Sequence, residues 1–133
     1  MSKRILVVDD DEEMCEELAD ILEGEGYQVT LAYDGLQGKS YLESRDFDVV
    51  LMDLKMPKLN GLEVLKWSKE GGARAKIIIL TGSPTKKDVE DGGMLPLNLE
   101  KDEKKKILDL ADGFLNKPYR VEALIEKLKE VLG

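Results

Sequence analysis

The chain has 133 residues, the length of one ordinary domain, and 42% of them are apolar, enough for a full core. One cysteine and no histidine exclude an internal disulfide, a Cys₄ zinc site, a Ser-His-Asp triad, His-ligated metals and a phosphohistidine on this chain. A net charge of −8 argues against direct nucleic-acid binding, and the lack of an apolar run of about 18 residues argues against a membrane span.

A single domain over residues 1–133 is expected, with the cytoplasm as its place. Lys3 and Arg4 do precede an apolar stretch, but Ile5–Val8 is too short for a signal peptide and runs straight into acids. That stretch reads as a buried strand. Met14, Leu18, Ile21 and Leu22 recur at helical spacing, which predicts a helix over 12–24, with Asp11 before it as cap and Gly24 and Gly26 as stops. Cys15 reads as a small residue of that helix. Gln28–Ala32 is a second strand, Asp34-Gly35 a turn, and residues 36–45 a second helix. Val49–Met52 is a third strand. Asn60-Gly61 is a turn, and a third helix carrying Leu62, Val64 and Leu65 runs to Lys69 before Gly71-Gly72 stop it.

Ile77–Leu80 is a fourth buried strand. Ser83-Pro84 reads as a helix cap followed by proline at the first helical position. Gly113–Asn116 is a short fifth strand, and Val121, Leu124, Ile125, Leu128, Val131 and Leu132 form the apolar face of a last helix. Strand and helix alternate five times. The expected fold is therefore α/β, a doubly wound five-stranded parallel sheet with helices on both faces. Internal repeats, low-complexity tracts and linkers are absent from the sequence.

The residues that leave the strand ends carry the chemistry. The first strand ends in Asp9-Asp10-Asp11, the third in Asp53, the fourth in Thr81 and the fifth in Asn116-Lys117-Pro118. A parallel sheet puts these ends on one edge, where ligands bind near the point of strand-order reversal. Gathered carboxylates repel one another, and a hard divalent cation such as Mg²⁺ relieves that while bringing phosphate oxygens with it. A lysine and a hydroxyl suit the phosphoryl group itself, and a carboxylate can act as nucleophile. Each of these residues alone is more often a cap, a turn residue or a solvated lysine; their joint occurrence at four strand ends is the signal.

The sequence here resembles the receiver domains of two-component response regulators, the CheY-like proteins, whose flavodoxin/CheY-like (βα)₅ fold matches the expected one. The resemblance rests on Ile5–Asp11, on Val49–Pro57 with Asn60-Gly61, on Leu80-Thr81-Gly82, and on Ala111–Tyr119, and covers nearly the whole chain. It implies that Asp53 accepts a phosphoryl group. Asp10 would ligate Mg²⁺ directly, Asp9 directly or through water, Asp53 through its carboxylate and Lys55 through its backbone carbonyl. Thr81 and Lys117 would bind the phosphoryl oxygens, with a cis Lys117–Pro118 peptide. Phe114, or else Tyr119, stands near the family's switch aromatic, which moves together with Thr81. The implied donor is a phosphohistidine on a sensor histidine kinase or a histidine phosphotransfer protein, and slow self-hydrolysis would reset the switch. In that sense the chain is not an ordinary enzyme. Its output would pass from the fourth helix, fifth strand and fifth helix to an effector domain or protein, with a homodimer among the modes of assembly.

The sequence departs from the family between Thr81 and Lys117, where it is longer by roughly a dozen residues. The extra material lies around residues 92–98. The fourth helix is expected to end near Asp91, and Asn98 to cap a new helix over 99–110, supported by the Glu100–Lys104 and Asp102–Lys106 spacings. Leu99, Ile107 and Leu110 are expected to face the core. The insertion either changes the partner or dimer mode or is a tolerated surface addition.

Other readings fit the residues less well. A haloacid-dehalogenase-like phosphatase wants Asp-x-Asp-x-Thr, and Glu13 stands where the threonine belongs. A flavodoxin-like FMN protein would face three aspartates with a phosphate. The P-loop motif is missing. A degenerate receiver, acting as a phosphorylation-independent interaction module, usually lacks a key residue, and every one is present here.

Overall fold

A computed structural model describes residues 2–53, 61–71, 74–81, 109–116 and 119–133. In chain order these form β1 (Arg4–Val8), α1 (Glu12–Gly24), β2 (Gln28–Ala32), α2 (Gly35–Ser44), β3 (Val49–Asp53), α3 (Gly61–Glu70), β4 (Lys76–Thr81), β5 (Gly113–Asn116) and a C-terminal helix, Val121–Leu132. All pairings are parallel, and the strand order is β2-β1-β3-β4-β5. The expected doubly wound sheet is present. The expectations for residues 82–108, namely the Ser83-Pro84 cap, the insertion and the helix after Asn98, lie outside the described residues. So do Lys55, Asn60, Lys117 and Pro118.

The three interior strands are apolar at nearly every position because both of their faces are covered. Successive side chains alternate between faces. Leu6, Val8, Val50, Met52, Ile77 and Ile79 join Val64 and Leu65 of α3 on one face. Ile5, Val7, Val49, Leu51, Ile78 and Leu80 join Leu18 and Leu22 of α1 and Leu124 and Leu128 of the C-terminal helix on the other. The strand residues of both sets are fully buried. Each such side chain contributes about 1.5–3 kcal/mol relative to exposure, so the inner strands dominate the stability of the sheet. Among the described residues, no helix is long and apolar enough to cross a membrane.

Capping chemistry explains where the helices begin. Asp11 Oδ1 accepts the Met14 N–H at 3.0 Å and starts α1, while Gly26, at φ 95°, takes the left-handed conformation just past its end. Asp34-Gly35 is not a turn, as the sequence suggested, but the start of α2. Asp34 Oδ1 accepts the Gln37 N–H at 2.8 Å, and Gln37 Oε1 accepts the Tyr33 N–H at 2.8 Å. The helix therefore runs from Gly35 to Ser44, one residue earlier at each end than expected. Glycine suits α2 because the helix lies close on β1: a Cβ at Gly38 would meet both Val8 methyls at 3.0 Å.

The fifth strand matches its expected bounds, but Leu110 before it does not face the core. Asp109 and Leu110 form a turn, and Leu110 is 40% exposed rather than facing the core. The neighbouring Ala111 packs on the core instead. Asp112 then locks the entry to β5, accepting the Ile77 N–H at 2.8 Å and donating its own N–H to the Ile77 carbonyl at 2.8 Å.

Candidate functional site

From β1 the chain builds β2 to one side and β3 to the other, so strand order reverses between β1 and β3. At that crevice the carboxyl ends of two neighbouring strands each deliver an acid. Val8 pairs with Met52, and the next residues are Asp9 and Asp53. Carboxylate oxygens of Asp9, Asp10 and Asp53 lie within 4.8 Å of one another. Their exposure is graded: Asp9 is fully buried, Asp53 half-buried and Asp10 exposed. The cluster thus has a fixed floor and an open mouth.

Unit charges this close repel by on the order of 1 kcal/mol per pair in water and about 3 kcal/mol at a partly buried edge. Such crowding opposes folding unless a cation relieves it. An all-oxygen set with an open side fits a hard divalent ion that keeps part of its water. Asp9 is held from several directions. Its N–H donates to the Ala32 carbonyl at 3.0 Å, its Oδ1 accepts the Asp11 N–H at 3.1 Å, and its carbonyl accepts from Cys15 Sγ at 3.5 Å. The Asp11 N–H reaches the carboxylate itself, and the other two bonds hold the Asp9 backbone. Beside this edge, the Tyr33 phenol is pushed above its ordinary pKa by burial, and further by Cys15, Glu16 and Glu12.

The other expected residues are placed in part. Thr81 is the last residue of β4, one position beyond the Leu80 that pairs with Asp53, and it pairs in turn with Asn116 at the end of β5. The backbone therefore brings residues 53, 81 and 116 to one edge; Lys55 and Lys117 fall outside the described residues. Of the two aromatics the resemblance offers as a switch, Phe114 is 44% exposed, while Tyr119 packs against the core cluster that α1 and the C-terminal helix share. Asp11 is more than a cap and Cys15 more than a helix residue, since both also bond to Asp9. The Asp11 contact had a local signal, an aspartate two residues before it. The Cys15 contact had none, because it depends on how α1 turns back over β1.

The profile of the response regulator receiver domain family matches residues 5–129. The chain belongs to this family. The receiver domain is 34% identical over 127 residues to the transcriptional regulatory protein DltR of Streptococcus agalactiae, covering 95% of this chain and 50% of that protein. It is 34% identical over 133 residues to the response regulator MprA of Mycobacterium bovis, covering 99% and 51%. It thus spans about half the length of these curated relatives. Among solved structures, a CheY-like receiver domain protein from Methanospirillum hungatei is 31% identical, with a TM-score of 0.80 and coverage of 99% of this chain and 94% of that one. The response regulator TrrA of Thermotoga maritima, solved in complex with Mg²⁺-BeF, is 31% identical, with a TM-score of 0.76 and coverage of 97% and 98%.

Proposed function

We propose that this receiver domain is a phosphorylation switch in which Asp53 accepts a phosphoryl group with the help of Mg²⁺. The observation that carries the reading is the meeting of three carboxylates within 4.8 Å at the β1/β3 reversal. The Mg²⁺-BeF complex of TrrA supports it by likeness.

In this reading the Asp53 carboxylate attacks phosphorus in a phosphohistidine on a sensor histidine kinase or histidine phosphotransfer protein. An O–P bond forms as the N–P bond breaks, and the imidazole stays with the partner. Asp9, buried and bonded on several sides, fixes the floor of the site. Asp10, exposed at the mouth, would ligate the ion with Asp53 and the Lys55 backbone carbonyl. Bound Mg²⁺ would supply positive charge against the phosphoryl oxygens and relieve the carboxylate repulsion. Thr81 would donate a hydrogen bond to the phosphoryl oxygens and Lys117 would pair with them. The domain promotes its own phosphorylation and dephosphorylation and is not an enzyme in the usual sense. Phosphorylation would change the surface of β5, the C-terminal helix and the helix expected after β4, through Thr81 and Phe114, and an effector domain or protein would read it. The insertion expected near residues 92–98 would either adapt that surface to a partner or a dimer or be a tolerated surface addition.

Acetyl phosphate with Mg²⁺ tests the reading directly. Intact mass is expected to rise by one acid-labile phosphoryl group in the wild type and not in Asp53→Asn. A wild type that gains no such adduct would overturn it.

A further inference from the structure

At the amino edge of the sheet, opposite the carboxylate cluster, the start of β1 meets the segment between α2 and β3. The Arg4 N–H donates to Asp48 Oδ2 at 2.7 Å, and the Asp48 N–H donates to the Arg4 carbonyl at 2.9 Å. These bonds hold the two segments together beside an open cleft of about 320 Å³, lined by Arg4, Leu42, Glu43, Ser44, Arg45 and Asp46. Small-ligand sites occupy roughly 300–1,000 Å³, so the cleft is large enough for a compact ligand.

The cations in this lining lack the partners expected on so acidic a chain. Acids outnumber basic residues 28 to 20, and two acids line the cleft itself. Among the described residues, Lys39 reaches Glu43 at 4.0 Å, but neither Arg4 nor Arg45 forms an ion pair. Arg45 lies over the Tyr41 ring, with Cζ 5.2 Å from its centroid. Arg4 Nη1 donates a long bond, 3.4 Å, to the Asp46 carbonyl. A guanidinium carries five N–H donors, so both arginines keep donors for a ligand. A cation at the C-terminal end of α2 also suits the helix dipole, which is the plainer role for Arg45. That role leaves Arg4 unexplained, because Arg4 opens a strand.

We propose that this cleft is a binding site for a small carboxylate ligand, held by Arg4 and Arg45. The planar guanidinium fork matches a carboxylate bidentately. The formal charges of the lining balance, with two arginines against Glu43 and Asp46. That balance suits a singly charged carboxylate and disfavours a doubly charged phosphate. The site shares no residue with the carboxylate cluster, so the inference stands apart from the phosphorylation reading.

Propionate is the probe, titrated into isotope-labelled protein at constant ionic strength, with chloride and inorganic phosphate as parallel titrants. The amide resonances of residues 42–46 are expected to shift saturably with propionate and not with chloride. Arg4→Gln and Arg45→Gln should each weaken binding about tenfold, the loss of one charge-assisted hydrogen bond. Arg45→Lys keeps the charge without the fork and should weaken it nearly as much. Asp46→Asn removes a repelling carboxylate and should tighten it by up to about fivefold. All three side chains are exposed, and a thermal melt of each variant checks that it is folded. Shifts that rise linearly, or equally with chloride, overturn the inference, as does an Arg4→Gln protein that binds like the wild type. An Arg45→Gln protein that melts earlier but binds propionate normally overturns it too, leaving Arg45 as a helix-end charge. Phosphate binding tighter than propionate overturns the assignment to a singly charged ligand.

Discussion

At the carboxyl edge of the sheet, Asp9, Asp10 and Asp53 are drawn within 4.8 Å of one another. At the amino edge, Asp112 gathers donors instead: Lys69 Nζ and the Ile77 N–H each at 2.8 Å, and Lys76 Nζ at 4.0 Å. Burial raises the Asp112 pKa, but the hydrogen bonds from Lys69 and Ile77 and the charges of Lys69 and Lys76 outweigh it and hold the carboxyl below its ordinary 3.8. The same residue type serves two ends. Surrounded by donors, aspartate ties α3 and β4 to β5 and stabilises the fold. Set against its own kind, it costs stability and creates a demand for a cation. Removing the carboxylate should therefore have opposite consequences at the two edges.

The sharpest break in this contrast is Asp10→Asn. Losing a direct ligand should weaken Mg²⁺ binding by at least about a hundredfold, the upper end of what even outer-shell partners give. Calorimetry checks this, and an affinity close to the wild type's would remove Asp10 from the ion. Next in size is Asp112→Ala, which strands the Ile77 N–H. Chemical denaturation should show a loss of about 1–3 kcal/mol, with phosphoryl acceptance at Asp53 retained. The same variant tests the sign of the pKa shift. Because the folded value is depressed, the contribution of Asp112 is present above the ordinary 3.8 and is lost as pH falls through the folded value. Asp112→Ala should accordingly flatten the acid limb of the stability curve below that point. The smallest effect runs the other way. In metal-free buffer Asp53→Asn should be more stable than the wild type by about 1 kcal/mol, since it removes like-charge contacts. A less stable Asp53→Asn would mean that repulsion is not what the cluster contributes.

The two edges were also unequally legible in the sequence. β1, β3 and β4 were plain because interior strands of a parallel sheet are continuous apolar runs, and their ends delivered Asp9, Asp10 and Asp53 to one place by topology alone. Asp112 was passed over because its partners lie 35 and 43 residues away, with no local pattern linking them. Asp34-Gly35 looked like a turn because both residues favour turns; only the reciprocal bonds through Gln37 and the close approach to Val8 make it a helix start. Leu110 was expected inside because helical spacing was extended through it, whereas the chain turns there to feed Asp112 into β5. In each case a tertiary contact decides between two locally reasonable conformations.

The central claim is that the crowded edge exists to put a phosphoryl group on one carboxylate. Borohydride reduction of the acetyl phosphate-treated protein, followed by peptide mapping, converts a phosphorylated aspartate to homoserine and names the residue. The account predicts homoserine at position 53, formed only when Mg²⁺ is present. Homoserine at Asp9, Asp10 or Asp112, or at Asp53 without need of Mg²⁺, would contradict it.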